Sequence, residues 1–463
     1  MHKQLADDEL HGDDTAITPT YASRFITESI AKYTLPEQSR DPDVVYQVLK
    51  DELQLDGNAH MNLATFVTTW MEPQASQLMA ETFEKNLIDK DEYPQTAEIE
   101  NRCINILAQL WHGDPDGNAI GTSAVGSSEA CMLAGLALKW RWALKRKQQR
   151  RSVSKPNLVL GANAQICWEK FCRYWEVEPR FIPLETGRFH LDPQLASEAC
   201  DDHTIGVVGI LGSTMDGSYE PIQALSDRLD DVQSRTGLDI PIHIDAASGG
   251  FVAPFLQPEL VWDFRLLRVK SINASGHKYG MVYPGVGWIL WRHPDDLPKE
   301  LIFNVNYLGG QMPTFGLNFS RPGNGVIAQY YNFLRLGRSG YSRIQHNCQN
   351  TALFLSSSIA KIGPFELLSK GDELPVFAFT TTQGFSEFTL YDLSERLRER
   401  GWQVPAYSMP KNLEDMVVMR IVVKENFSRD VANLFIKDLK QQVDWLQHNP
   451  YKHPSAPRPS FHH

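Results

Sequence analysis

The run Ile205-Gly206-Val207-Val208-Gly209-Ile210-Leu211 is apolar without interruption. It lacks the period-two alternation of a strand with one wet face, so it reads as a strand buried on both sides, the habit of parallel sheets. Its neighbours agree. Short apolar segments at 157–160, 180–184, 240–245 and 270–275 alternate with helical patterns at 165–175, 192–200 and 221–236. Strand–helix alternation of this kind predicts an α/β domain whose mostly parallel sheet is covered on both faces. In such sheets, ligands sit at the carboxyl ends of the strands.

Flanking segments extend the layout. Helices are expected at 41–55, over the amphipathic stretches 74–90 and 94–111, and from about Glu129 to Arg146. Two more are expected at 324–337 and 341–362, the second stopped by Gly363-Pro364. Gly121 to Glu129 reads as a small-residue turn. Beyond about 363 the pattern changes to a smaller α+β unit, with strands at 376–379, 403–405 and 417–423 and helices at 389–400 and 428–448. We expect an N-terminal segment (1–60), a large domain (61–345) and a small C-terminal domain (346–463).

Charge and cysteine content exclude several classes. The net charge of −11 disfavours nucleic-acid binding, which needs a basic face. The basic stretch 139–151 suits a solvated helix face better than an acidic partner. Six cysteines are scattered without a paired spacing, and no secretory signal or membrane-spanning run is visible, so reduced thiols in a cytoplasmic protein are expected.

Three features carry chemistry. Gly126-Ser127-Ser128 precedes a helix, where free amides and hydroxyls make an anion site, although plain capping by serine is the commoner reading of such a stretch. Asp245 closes a strand and is followed by Ala246-Ala247-Ser248-Gly249-Gly250, small residues that let a ligand approach. His243 shares a strand face with Asp245, but no third metal ligand is evident, and no metal is expected. Lys278 follows Ser275-Gly276-His277. It is either a surface lysine or a desolvated amine able to condense with an aldehyde. An amine, a strand-end carboxylate and a phosphate cradle together suit pyridoxal 5'-phosphate.

The chain resembles the pyridoxal-phosphate-dependent glutamate decarboxylases of bacteria and plants, from about Asn62 to Phe435. The likeness rests on Leu55-Asp56-Gly57-Asn58, Asn62-Leu63-Ala64-Thr65-Phe66, Gly126-Ser127-Ser128-Glu129-Ala130, Gln165-Ile166-Cys167-Trp168, the run from His243 to Phe251, Ser275-Gly276-His277-Lys278 and Val418-Met419-Arg420. The resemblance implies fold type I, like aspartate aminotransferase: a large domain with a mostly parallel seven-stranded sheet and a small C-terminal α+β domain. It implies decarboxylation of L-glutamate to 4-aminobutanoate, with one proton consumed per turnover and so a role in acid resistance. A decarboxylase for another amino acid, such as aspartate, is the alternative.

Residue roles follow from the same likeness. Lys278 is the Schiff-base lysine, and Asp245 pairs with the pyridinium nitrogen. Gln165 stacks on one face of the ring, Ala247 packs on the other, and Thr214 lies near it. Ser127, Ser128, Ser275 and His277 hold the phosphate, with Ser320 reaching in from a second subunit. Thr65 and Phe66 meet a substrate carboxylate, while Asn86 and Asp89 line the distal pocket from the partner. Arg420 orients the α-carboxylate. Tyr307 belongs to a loop that covers the site and helps protonation. His463 blocks the cofactor at neutral pH. A homodimer is the implied minimal unit, a hexamer is possible, and no calmodulin binding is expected.

Overall fold

The structure is a computed structural model, and it describes residues 32–113, 119–306 and 312–449. Tyr307 and His463 lie outside the described residues. The chain divides into two compact units, residues 1–59 and 60–463. In the first, α1 (Pro42–Glu52) starts as its sequence predicts: Asp41 caps it by accepting from the Asp43 amide at 2.9 Å, and Pro42 fills the first turn.

The second unit is built around a seven-stranded sheet. Its strands are β1 (Ile120–Ala124), β2 (Asn157–Gly161), β3 (Glu178–Ile182), β4 (Thr204–Ile210), β5 (Ile242–Asp245), β6 (Val269–Ser275) and β7 (Gly287–Trp291), in spatial order β1-β7-β6-β5-β4-β2-β3. Only β7 runs antiparallel to its neighbours β1 and β6. Strand β4 is buried at every position, as its apolar run requires. The register places Ile210, Asp245 and Asn273 side by side at the carboxyl ends of β4, β5 and β6. That edge is where the functional groups collect.

The helices of this unit begin with α2 (Pro73–Ala80), α3 (Pro94–Leu110), α4 (Ser127–Gln148), α5 (Ile166–Tyr174), α6 (Pro193–Glu198) and α7 (Ile222–Thr236). A short α8 (Ala253–Leu256) precedes α9 (Asn324–Ile359), and α10 (Leu390–Glu399) and α11 (Arg429–His448) follow. A two-stranded β8 (Phe303–Val305) and β9 (Met312–Thr314) precedes α9. After it, β10 (Phe365–Leu367), β11 (Val376–Thr381), β12 (Ala406–Ser408) and β13 (Val417–Val422) form an antiparallel sheet in the order β10-β11-β13-β12. The start of α9 contributes Val326, Ala328 and Tyr341 to the core under the large sheet. Its second half contributes Cys348, Ala352, Leu355 and Ile359 to the core under the small one. We propose the border between large and small domains near residue 345, inside this helix. No helix of the described residues is long and apolar enough to cross a membrane.

Several expectations need correction. The turn expected from Gly121 contains strand β1. Its Thr122 and Ser123 are buried rather than solvated, because Glu100 accepts from the Ser123 amide at 2.9 Å and from both hydroxyls. Burial would raise the Glu100 carboxyl, but Arg321 at 3.1 Å and the Ser123 donors hold it below its ordinary value. The helix expected over 74–90 stops at Ala80, because Lys85 and Leu87 spend their backbone hydrogen bonds on Gly323 and Arg321. The strand expected at 403–405 begins at Ala406, and the one at 180–184 begins at Glu178. The two helices expected at 324–337 and 341–362 run together, broken only at Gly337, whose φ of 56° favours glycine. The basic stretch at the end of α4 is a solvated face, as expected, at Lys145, Lys147 and Arg150, and is tied down internally elsewhere. Lys139 donates to the Trp175 carbonyl at 2.5 Å, Arg141 pairs with Asp296 at 3.3 Å, and Arg146 and Arg151 share Asp202.

Candidate active site

A cavity of about 310 Å³ opens at the carboxyl ends of β4, β5 and β6. That is within the range of small-molecule sites. Three local structures build most of its wall, with Asn163, Gln165, Gly212 and Thr214 completing it. One is the turn from β1 into α4, another is the segment after Asp245, and the third is the loop from Ser275 to Lys278.

The turn into α4 forms one end. Among the described residues no side chain caps this helix, so its first amides remain for a ligand, at the positive end of the dipole. Ser127 and Ser128 line the cavity there, and Ser127 Oγ lies 2.6 Å from Ser275 Oγ. Gly126 is needed for space, since a Cβ on it would come within 2.9 Å of His277 Cε1. Burial, reinforced by the Lys278 charge, pushes the His277 imidazole down to about 4, so it is neutral near pH 7. A neutral ring still donates one hydrogen bond to an anion.

Asp245 forms the other end. It is buried, yet its oxygens are well supplied with donors. Oδ2 accepts from Trp168 Nε1 at 2.9 Å and more loosely from Cys131 Sγ at 3.6 Å. Oδ1 accepts from the Ala247 amide at 3.1 Å and from Asn273 Nδ2 at 3.2 Å. His243 does not line the cavity. Its ring nitrogens are taken by Ser271 Oγ at 2.7 Å and Asn273 Oδ1 at 2.8 Å, so it is a satisfied core histidine rather than a partner of Asp245 in a metal site.

Lys278 stands between these ends. Its Nζ lies 3.4 Å from Ser248 Oγ and 5.3 Å from the centroid of the Phe66 ring. Burial pushes the amine below the ordinary lysine range, partly offset by the Asp245 carboxylate. Thr68 fixes the loop that carries it: Thr68 Oγ1 donates to the Lys278 carbonyl at 2.7 Å, and the Thr68 amide donates to the His277 carbonyl at 2.8 Å. The preceding turn is shaped by Asn62 Oδ1, which accepts from the Ala64 and Thr65 amides at 2.9 and 3.3 Å. Thr65 Oγ1 in turn accepts from the Val67 amide at 3.1 Å. Arg420, from β13, lies over Phe66 at 4.8 Å and donates to the Ala64 carbonyl at 2.6 Å and to the Thr214 carbonyl. Its Nε is buried and has no partner among the described residues.

The expected residues fall into three groups. Ser127, Ser128, Gln165, Thr214, Asp245, Ala247, Ser275, His277 and Lys278 all line the one cavity. Gln165 also caps α5, accepting from the Cys167 amide at 2.6 Å. Thr65, Phe66 and Arg420 flank the cavity without lining it, joined to it through Lys278 and Thr214. Asn86 and Ser320 lie elsewhere, bonded to each other at 3.3 Å, with Asp89 three residues along from Asn86. Asn163, Ser248, Cys131, Trp168 and Thr68 were not singled out from the sequence. Ser248 and Trp168 sit inside quoted motifs, but nothing in their spacing assigns them a partner.

An uncapped helix start, a buried amine whose neutral form burial favours and a carboxylate ringed by hydrogen-bond donors fit pyridoxal phosphate, with Gly126 leaving room beside His277. Comparison with known proteins agrees. Residues 36–382 match the pyridoxal-dependent decarboxylase conserved domain. A glutamate decarboxylase of Aliivibrio fischeri is 52% identical over 444 residues, covering 96% of this chain and 96% of its own length. One from Petunia hybrida is 49% identical over 439 residues, covering 94% of this chain and 88% of its own. The solved structure of a Lactobacillus brevis glutamate decarboxylase superposes with a TM-score of 0.89 at 47% identity, over 93% of this chain and 98% of that one.

Proposed function

The chain belongs to the pyridoxal-dependent decarboxylase family, and we propose that it converts L-glutamate to 4-aminobutanoate and CO2. The observation that carries this is the placement of Lys278 in one cavity with Asp245 and the open start of α4. The choice of glutamate is supported by relatives of that activity at about half identity over nearly the whole chain.

When bound, pyridoxal phosphate supplies an aldehyde for covalent attachment and a protonated ring that takes up the electron pair left by departing CO2. Lys278 Nζ is suited to the attachment, because burial favours its neutral, nucleophilic form. The α4 amides, Ser127, Ser128, Ser275 and neutral His277 would hold the phosphate. Asp245, ringed by donors, would face the ring nitrogen and favour its protonated form. Arg420, anchored to the Ala64 and Thr214 carbonyls, offers its unpartnered Nε to a substrate carboxylate. Phe66 packs its ring between the Lys278 amine and the Arg420 guanidinium, 5.3 and 4.8 Å from its centre. Replacing CO2 by hydrogen at Cα consumes one proton from solvent, and Lys278 Nζ, lining the cavity, could take up that proton, pass it on and, neutral again, release the product amine.

Asn86, Asp89 and Ser320 do not line the cavity of their own chain. We assign them to the site of a second copy, in a homodimer. The function is tested by supplying the holoenzyme with single amino acids and measuring CO2 release. Glutamate should be the preferred substrate, and faster release from aspartate would overturn the assignment.

A further inference from the structure

The donors around Asp245 belong to a longer chain of hydrogen bonds whose direction can be read off. Asn273 Nδ2 donates to Asp245 Oδ1 at 3.2 Å, so Asn273 Oδ1 is free to accept. The partner of that oxygen is His243 Nε2 at 2.8 Å, which must therefore carry the ring proton. His243 Nδ1 is then an acceptor, and the Ser271 hydroxyl at 2.7 Å donates to it. The wire runs Ser271 to His243 to Asn273 to Asp245, with every donor pointing towards the carboxylate. All four residues are buried, where aligned hydrogen bonds polarise one another most. From the other side, Trp168 adds a donor to Oδ2 at 2.9 Å, and its ring lies 5.3 Å from that of His243. Neither the indole N–H nor the Ala247 amide can accept a proton, so a protonated Asp245 would gain an acceptor among these partners only by turning the Asn273 amide over and reversing the wire.

We propose that Trp168 and the Ser271–His243–Asn273 wire are positioning elements that hold Asp245 as an oriented, ionised carboxylate and thereby keep the ring nitrogen of bound pyridoxal phosphate protonated. This rests on the cofactor assignment made above and goes beyond it. A buried acid facing a pyridine nitrogen has two states of the same composition, an ion pair and a neutral pair. Burial favours the neutral pair. Donors that serve only the anion favour the ion pair. Removing one of them shifts the proton from the ring to the carboxylate, without touching the ring, the phosphate or Lys278.

The test compares two ligands on apoprotein: pyridoxal phosphate and its 1-deaza analogue, which has carbon in place of the ring nitrogen. Trp168→Phe and Asn273→Leu should weaken pyridoxal phosphate about tenfold to a hundredfold, the value of a hydrogen bond to a charged group. They should change binding of the deaza analogue by less than about twofold, because that ligand has no proton to place. In parallel, the nitrogen-15 resonance of ring-labelled cofactor should move from the protonated towards the unprotonated position. Ser271→Ala, which removes only the far end of the wire and keeps the core volume, should shift both readouts in the same direction by less. Equal weakening of the two ligands would reveal a merely structural role and overturn the proposal, as would an unchanged nitrogen-15 resonance in all three variants. Failure of the wild-type protein to bind pyridoxal phosphate would instead overturn the cofactor assignment, and this inference with it.

Discussion

Arg420 holds its guanidinium 4.8 Å from the centre of the Phe66 ring, and the same ring lies 5.3 Å from the Lys278 amine. One aromatic side chain thus couples a residue of the small sheet to the reactive lysine of the large one. Arg420→Lys keeps the charge but loses the planar fork that reaches the Ala64 and Thr214 carbonyls. It should lower kcat/KM for glutamate about tenfold to a hundredfold, the range for hydrogen bonds to a charged group. Steady-state kinetics with a circular-dichroism control checks this, and an unchanged kcat/KM would remove Arg420 from the substrate site.

Gly126→Ala should impair cofactor binding while sparing the fold. The φ of Gly126 is 163°, an extended conformation open to any residue, so the backbone is not the obstacle. The obstacle is the His277 ring, 2.9 Å from the added Cβ. Displacing that imidazole should raise the Kd for pyridoxal phosphate about tenfold, the cost of one lost phosphate contact, with little change in apoprotein melting. A fluorescence titration of the apoprotein measures the first and calorimetry the second.

His277 supplies a pH signature. Its folded-state value of about 4 lies below the ordinary histidine value of about 6.5. Between these, the unfolded chain binds a proton that the folded chain refuses, so stability falls as pH drops from about 6.5 to about 4 and is unaffected above that window. Apoprotein carrying His277→Asn should therefore lose less Tm than wild type between pH 7 and pH 4.5. Hydrogen–deuterium exchange at the His277 Cε1 position should give a midpoint near 4, and a midpoint near 6.5 would contradict the burial argument.

The apoprotein should also show an unusually reactive amine. Burial favours the neutral form of Lys278, so its labelling by an acylating reagent should rise at lower pH than that of exposed lysines. Peptide mapping of competitive labelling reads this directly. A profile coincident with the surface lysines would mean that Lys278 is not desolvated.

Much of this arrangement was legible before any coordinates, and the reasons are physical. Strand β4 declared itself because full burial demands an unbroken apolar run, and helix α10 because Thr389 caps it where the charged periodicity begins. Asp245 and Lys278 stood out because a strand-end carboxylate and a lysine among small residues are chemically conspicuous. Strand β1 was hidden, because its buried hydroxyls are satisfied by Glu100 and Arg321, partners distant in sequence. The early end of α2 was hidden for the same reason, since the hydrogen bonds that stop it come from residues 321–323. The roles of Trp168, Asn273 and Thr68 depend on contacts across 77, 28 and 210 positions, which no local pattern encodes.

Lys278, seated between Asp245 and the start of α4, is proposed to carry a pyridoxal-phosphate-dependent decarboxylation of glutamate. Its most direct measurement is 4-aminobutanoate formed from L-glutamate by cofactor-loaded wild type and Lys278→Ala. Wild type should form product, and the variant should lose about a thousandfold or more of that rate, as when a nucleophile acting in concert with its neighbours is removed. Product formation by Lys278→Ala at the wild-type rate, or none from wild type loaded with cofactor, would contradict it.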